Sequence, residues 1–516
     1  LLIKKVVSKL LPFALLPFTS SVLTILIFPK FNLDVLAWVA LVPLMYSINA
    51  ECRFRSAEEG ILNRKYQLPH SAFRIPHSSR SFFLGWISGT IAYTGILYWI
   101  VVTFNAAHQG YWLSIPSLLL LAAYIGLFWG IWGIYLTRIH ETILFPVMAA
   151  AGWVTMEYLR TYFLSGFPWA LLGDSQVRHL SLIQISSFTA VYGVSFLIVL
   201  VNATIVLLLR KKTFSAVLIT AIIFSSVYAF GRHRVHTWHP EGKNVRVALL
   251  QGNIDQYMKW DIAYENAIKT TYADLVQKAS ASHPDLIVWP ETSVPGYLMQ
   301  DPPLQRWLKS VIKPTDALNL VGAPSLQGES SLNAAFLLSP EGYILGRYAK
   351  RHLVPFGEIV PFGFLLGHWI HVLNELGGFA AGRDEAVLTA PAYKAGVNIC
   401  YEAIFPNLVR QSVLEGAGFI VNLTNDGWYM RTAAPYQHFV PNVYRAVENN
   451  RWLVRADNTG ISAIIDPVGH VVAATPIFQN TWVEGTVLAE GTKTFYTKYG
   501  DVFAWFCVLV SLLSII

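Results

Sequence analysis

Charge is scarce in this chain: 13% of its residues are charged, against 54% hydrophobic. A soluble domain usually carries about 25% charged residues, so the chain as a whole is not built for water. The shortage is uneven. Residues 1–231 are mostly long apolar runs, whereas 232–498 has the make-up of an ordinary globular domain, long enough to bury a core of its own. Cysteine is scarcer still, with only Cys52, Cys400 and Cys507. Cys400 alone falls in the globular block, so no disulfide framework can exist there. There is no His-Glu-x-x-His pattern, no phosphate-binding loop and no cysteine pair suited to zinc. Neither a metal nor a cofactor is expected. The net charge of +7 does not point to nucleic acid, because the lysines and arginines gather in loops between apolar runs, as in cytoplasmic membrane loops.

What is abundant is apolar length. A bilayer-spanning helix needs roughly 20 apolar residues. Runs of that kind lie at 10–28, 33–50, 82–104, 112–136, 143–163, 182–209, 213–231 and 499–516, about eight predicted spans. The second is the weakest, being short and holding Asp34. Lys4, Lys5 and Lys9 precede the first run, which reads as an uncleaved helix because no small-residue cleavage site follows. Arg53, Arg55, Arg64, Lys65, Arg74 and Arg80 lie after the second run, Arg138 after the fourth, and Arg210, Lys211 and Lys212 after the sixth. Positive charge marks the cytoplasmic side. The pattern predicts a transmembrane domain over 1–231, residues 232–498 on the far face, and a returning helix at 499–516. In a Gram-negative bacterium that far face is the periplasm and the membrane the inner one. The polar stretch 51–80 reads as a loop or partly disordered insert. Glu157 and Arg160, in the fifth run, are either an internal ion pair or a substrate contact. Trp112 and Trp169 read as interfacial belt residues.

The block 232–498 alternates strand-like and helix-like segments, which predicts an α/β layered domain. Its chemistry-bearing residues sit at strand ends. Cys400 closes the apolar run Val397-Asn398-Ile399 and precedes Tyr401-Glu402. A lone cysteine there is usually a small buried hydrophobe; a nucleophile needs a base or a cation beside it. Glu291, after Val288-Trp289-Pro290, is a turn glutamate or a general base. Lys350, after Arg347-Tyr348-Ala349, is one of a solvated basic run or a fixed cation for an oxyanion. Glu358, in Val354-Pro355-Phe356-Gly357-Glu358, is placed to orient Lys350 or assist proton transfer.

Taken in order, Glu, Lys and Cys resemble the triad of the nitrilase superfamily, whose fold is an α-β-β-α sandwich. With apolar runs before and after, the chain resembles the apolipoprotein N-acyltransferase family. The stretches that carry this are Gly166-Phe167-Pro168-Trp169, Gln251-Gly252-Asn253 with Lys259-Trp260, Trp289-Pro290-Glu291, Lys350 through Glu358, Cys400-Tyr401-Glu402, Asn425-Asp426-Gly427-Trp428 and Pro435-Tyr436-Gln437-His438. The resemblance implies Glu291 as proton acceptor, Lys350 as electrostatic member and Cys400 as nucleophile. It implies Glu358, Tyr401 and Glu402 as supporting residues, with Trp260 and Trp428 toward substrate; His438 either lines the site toward substrate or is a structural histidine at a helix end. It further implies transfer of an acyl chain from a phospholipid of the membrane, usually phosphatidylethanolamine, to the amine of a diacylglyceryl apolipoprotein through a Cys400 thioester. Two features depart from the family pattern: the long 51–80 stretch, and Asp174 where an aromatic is expected. A membrane-anchored amidase using the same triad is the nearest rival, and a transporter or scaffold without catalysis a more distant one.

Overall fold

The computed structural model describes residues 15–48, 77–108, 110–259, 261–359, 378–489 and 491–516. They form two compact units. One holds the described residues of Leu1–Ile185, Val191–Arg232 and Asp501–Ile516; the other holds Ser186–Ala190 and His233–Gly500.

The first unit is helical. Tyr111–Arg138, Tyr192–Lys211 and Phe214–Thr237 are long and apolar enough to cross a bilayer, and Ser78–Ile96 with Trp99–Ala106, bent by 50°, makes a fourth if counted as one span. Three or four such helices stand among the described residues, where about eight were expected. The reasons are local. Asp34–Ile48 and Val502–Leu513 are short, and the run at 182–209 is broken at Ala190, whose φ is +52°, so that its long helix starts only at Tyr192. Phe145–Tyr162 is rich in small residues and buries Glu157 and Arg160.

Those two charges are fasteners. A Glu157 carboxylate oxygen accepts from Leu172 N at 2.7 Å. Arg160 donates to the Tyr93 hydroxyl and to Trp169 O at 3.5 Å. Among the described residues they form no salt bridge with each other. Trp112 is exposed, but Trp169 is buried with its ring 5.1 Å from that of Trp99, which removes it from the expected belt. Asp174 accepts from Leu171 N at 2.9 Å. Close helix approach relies on glycine. A Cβ on Gly85 would lie 2.4 Å from Trp129 O, and one on Gly126 2.7 Å from Trp86 O, as in small-residue packing between membrane helices.

The second unit is built on two six-stranded sheets, ordered β12-β1-β2-β3-β4-β5 and β11-β10-β9-β8-β7-β6. In the first, β1 (Lys243–Gln251), β2 (Leu286–Val288) and β3 (Leu318–Gln327) are parallel. Antiparallel β4 (Ser330–Leu338) and β5 (Ile344–Ala349) follow, with β12 (Thr481–Ala489) on the other side. In the second, β7 (Lys394–Ile399), β8 (Phe419–Thr424) and β9 (Leu453–Asp457) are parallel. They are flanked by antiparallel β6 (Val387–Thr389), β10 (Ala463–Ile465) and β11 (Val471–Ala474).

Alternation along each strand makes the layers. Val245, Val247 and Leu249 of β1 share one core with Val397 and Ile399 of β7 and Val421 and Leu423 of β8, between the sheets. The intervening Ala248 and Leu250 turn to a second core with Tyr272 and Leu275 of the helix Glu265–Ser280 and Leu304 and Leu308 of the helix Pro302–Ile312. The helices Pro406–Leu414 and Ala434–Asn449 pack on β7, β8 and β9. This is the α-β-β-α layering expected. Each buried aliphatic side chain in these cores contributes about 1.5–3 kcal/mol, enough to hold strained turns at the sheet edge.

Candidate active site

Three strand ends converge. The parallel strands β2 and β7, and β5, which runs parallel to β3 across the sheet, place Glu291, Cys400 and Lys350 just beyond their carboxyl ends. Ligand sites of open α/β sheets form at that edge. Two of the turns are strained: Cys400 has φ +53° and Thr292, following Glu291, φ +44°. Non-glycine residues in this region cost on the order of 1–3 kcal/mol each. Gly322 on β3 makes room for the second turn, since a Cβ there would lie 2.2 Å from Pro290 O.

Lys350 is the hub. It is buried, and its ammonium donates to Glu358 at 2.8 Å and to Glu291 at 3.4 Å. Burial opposes its charge, but the two carboxylates outweigh that and hold it protonated well above the ordinary lysine range. Asn333 of β4 donates to Glu291 at 2.6 Å and to Glu358 at 3.0 Å, so one amide and one ammonium bridge two carboxylates. Cys400 is 6% exposed. Burial pushes its thiol well above the usual range, and Glu291, Asp426 and Glu358 add to this against the opposing pull of Lys350. The resting group is therefore a thiol.

Glu402 has a different task. Fully buried, it accepts from the Tyr348 hydroxyl at 2.8 Å and from the backbone N–H groups of Arg351, His352 and Ile399 at 2.7, 3.0 and 2.7 Å. It ties the chain around Lys350 to the chain around Cys400. Burial raises its carboxyl above the ordinary value even so. Tyr401 is buried, its ring 5.3 Å from Phe405 and 5.9 Å from His352.

Of the three residues expected to face substrate, Trp428 is 43% exposed, on the turn Asp426–Tyr429 after β8. Trp260 lies outside the described residues. His438 is wholly buried, which favours the structural one of its two readings. Its Nδ1 meets Asp426 at 2.7 Å, and the backbone of Cys400 hydrogen-bonds to its ring. Burial, reinforced by Arg455, lowers it to about 3, so it is neutral. Arg455 in turn bonds Asp426 at 2.7 Å and Asp457 at 2.8 Å. This buried group braces the Cys400 turn.

Sequence reasoning missed Asn333, Tyr348 and the Asp426–Arg455–Asp457 group. Each is a polar residue inside an otherwise apolar strand or at its end, and that misfit was the signal available.

A strained cysteine turn beside a buried Glu–Lys pair, on a two-sheet sandwich, defines a carbon-nitrogen hydrolase domain, and the profile of that family matches residues 246–493. The profile of the apolipoprotein N-acyltransferase N-terminal domain matches residues 68–204. The chain is 38% identical to the apolipoprotein N-acyltransferase of Geobacter metallireducens, over 95% of this chain and 92% of that one. It is 34% identical to that of Methylococcus capsulatus, over 70% and 71% of the two chains, and 33% identical to that of Nitrosomonas europaea, over 79% and 82%. Among solved structures, Saccharomyces cerevisiae Nit3, a member of branch 10 of the nitrilase superfamily, matches at 18% identity and TM-score 0.38, over 48% of this chain and 90% of that one. The chain belongs to the apolipoprotein N-acyltransferase family.

Proposed function

We propose that the chain moves an acyl chain from a phospholipid to the α-amine of a diacylglyceryl-cysteine apolipoprotein, with Cys400 as nucleophile, Glu291 as base and Lys350 as fixed cation. The Cys400 sulfur attacks the ester carbonyl carbon while its proton passes to Glu291. The ester C–O bond breaks, the lysophospholipid oxygen leaves with the proton held by Glu291, and a thioester remains. The acceptor amine then attacks the thioester and gives a proton to Glu291. The C–S bond breaks and the proton returns to sulfur. Splitting the transfer into two steps is what a covalent nucleophile offers. Lys350 and nearby N–H groups would face the oxyanion of each tetrahedral intermediate.

The observation that carries this reading is the junction of Cys400 with the Glu291–Lys350–Glu358 group in a chain related along 95% of its length to a named apolipoprotein N-acyltransferase. Exposed apolar residues support a lipid substrate. Met258, Phe356, Ile359 and Trp428 lie on the loops that follow β1, β5 and β8. A lipid donor also spares the acyl chain a passage through water, which costs about 0.8 kcal/mol per methylene.

The reading includes phosphatidylethanolamine as donor. It also includes a Gram-negative inner membrane crossed about eight times by residues 1–231 and 499–516, with 232–498 in the periplasm. Loop charge supports this orientation. The amidase alternative differs in who attacks the thioester. In a phospholipid-loaded protein the thioester should persist in water and discharge onto a diacylglyceryl peptide with a free N-terminus, and not onto its N-acetylated form. Rapid loss to water, equal with and without the peptide, would favour the amidase.

A further inference from the structure

We infer that Lys259, on the loop after β1, is a second cation of this site: a positioning residue that holds the Glu291 turn and balances the negative charge facing Cys400. The inference rests on the acyl-transfer reading above.

Lys259 is 4% exposed, and a lysine is almost never so buried without a partner. Its ammonium donates to the main-chain oxygen of Glu291 at 3.2 Å and to the Thr292 hydroxyl at 3.4 Å. It thus clasps the strained turn that aims the Glu291 carboxylate. Among the described residues no carboxylate pairs with it at salt-bridge distance. The loop that carries it is pinned to the second sheet. Asn253 N donates to Asn458 O at 2.8 Å, Ile254 N to Asn458 Oδ1 at 3.0 Å, and Asn458 Nδ2 to Ile254 O at 2.7 Å. Asn425 adds a bond to Gln256.

Charge accounts for the placement. Lys350 alone faces two carboxylates, Glu291 and Glu358, and that trio carries one net negative charge beside a sulfur that must become negative. Lys259 brings the sum over these four side chains to zero at rest, and keeps it there when Glu291 has taken the proton and an oxyanion has formed. The ionisable groups that face it are Glu291 after β2, Cys400 after β7 and Asp457 at the end of β9. Burial pulls Lys259 down to about 8, so its charge is present at neutral pH and lost just above.

The test is the rate of thioester formation by the full-length protein in phosphatidylethanolamine-containing vesicles, from about pH 6 to about pH 10, with melting temperatures recorded alongside. For the unaltered protein the rate should fall above about pH 8 as Lys259 loses its proton. Lys259→Met should be slower by about tenfold or more and show no such fall. Lys259→Arg, charged throughout, should keep a substantial rate and carry it to higher pH. A Lys259→Met protein that matches the unaltered one in rate and pH profile would overturn the inference while leaving the Cys400 chemistry intact. Should Lys259→Met fail to fold, the arginine variant decides, and an unmoved alkaline fall overturns the inference. No thioester on the unaltered protein at any pH, as with Cys400→Ala, would remove the proposed function and this inference with it.

Discussion

A thiol that faces three carboxylates does not ionise on its own. Cys400 is held as a thiol by burial and by Glu291, Asp426 and Glu358, with Lys350 in opposition, so the proposed mechanism needs a base that takes the proton during attack. Asn333 keeps that base usable. By donating to Glu291 and Glu358 together it lets two carboxylates share one ammonium. Removing it leaves their repulsion uncompensated and takes a buried hydrogen bond from each, a loss of about 1–3 kcal/mol. Asn333→Ala should therefore lower the melting temperature by a few degrees and slow thioester formation about tenfold or more; an unaltered rate would show that the amide has no part in positioning Glu291. Glu291, Lys350 and Cys400 were singled out because each ends a strand-like segment. Asn333 was not, because an asparagine within Ser330–Leu338 looks like a strand imperfection until its two acceptors, far apart in sequence, are brought beside it. His438 was left between a lining and a structural role for the converse reason: a polar residue in a motif suggests lining, whereas three neighbours distant in sequence bury it.

Strand ends and the turns beyond them set the geometry. The strand pattern of 232–498 could be read because parallel strands buried on both faces carry short continuous apolar runs, as in Leu286–Val288 and residues 419–421 of β8. Short β6, whose Val387–Thr389 pairs with β7, lacks that pattern and was not foreseen. The turns depend on close approach that a pattern does not reveal. Gly322→Ala would bring a Cβ to 2.2 Å from Pro290 O. The Trp289–Thr292 turn would have to move, at a cost of about 1–3 kcal/mol. A lower melting temperature together with slower acylation is expected, and no change in either would mean that this contact does not fix Glu291. In the helical unit, apolar length was read as span count. Helices end early where backbone and burial dictate, at Ala190 with its positive φ and in Phe145–Tyr162, whose small residues and buried Glu157 and Arg160 suit an interior. Asn202 shows how such endings are satisfied: its amide accepts from Leu41 N at 2.9 Å and donates to Ala37 O at 2.9 Å.

For the molecule as a whole, the two units divide the work that a lipid acyl transfer requires: apolar helices for the membrane, and a layered sandwich whose edge holds a protected thiol. The most direct measurement is intact-mass spectrometry of the purified full-length protein after incubation with phosphatidylethanolamine, beside Cys400→Ala. The account predicts one added acyl chain on the unaltered protein, removable by hydroxylamine and missing from the variant. A folded protein that never acquires the adduct, or acquires it equally without Cys400, would contradict the covalent mechanism.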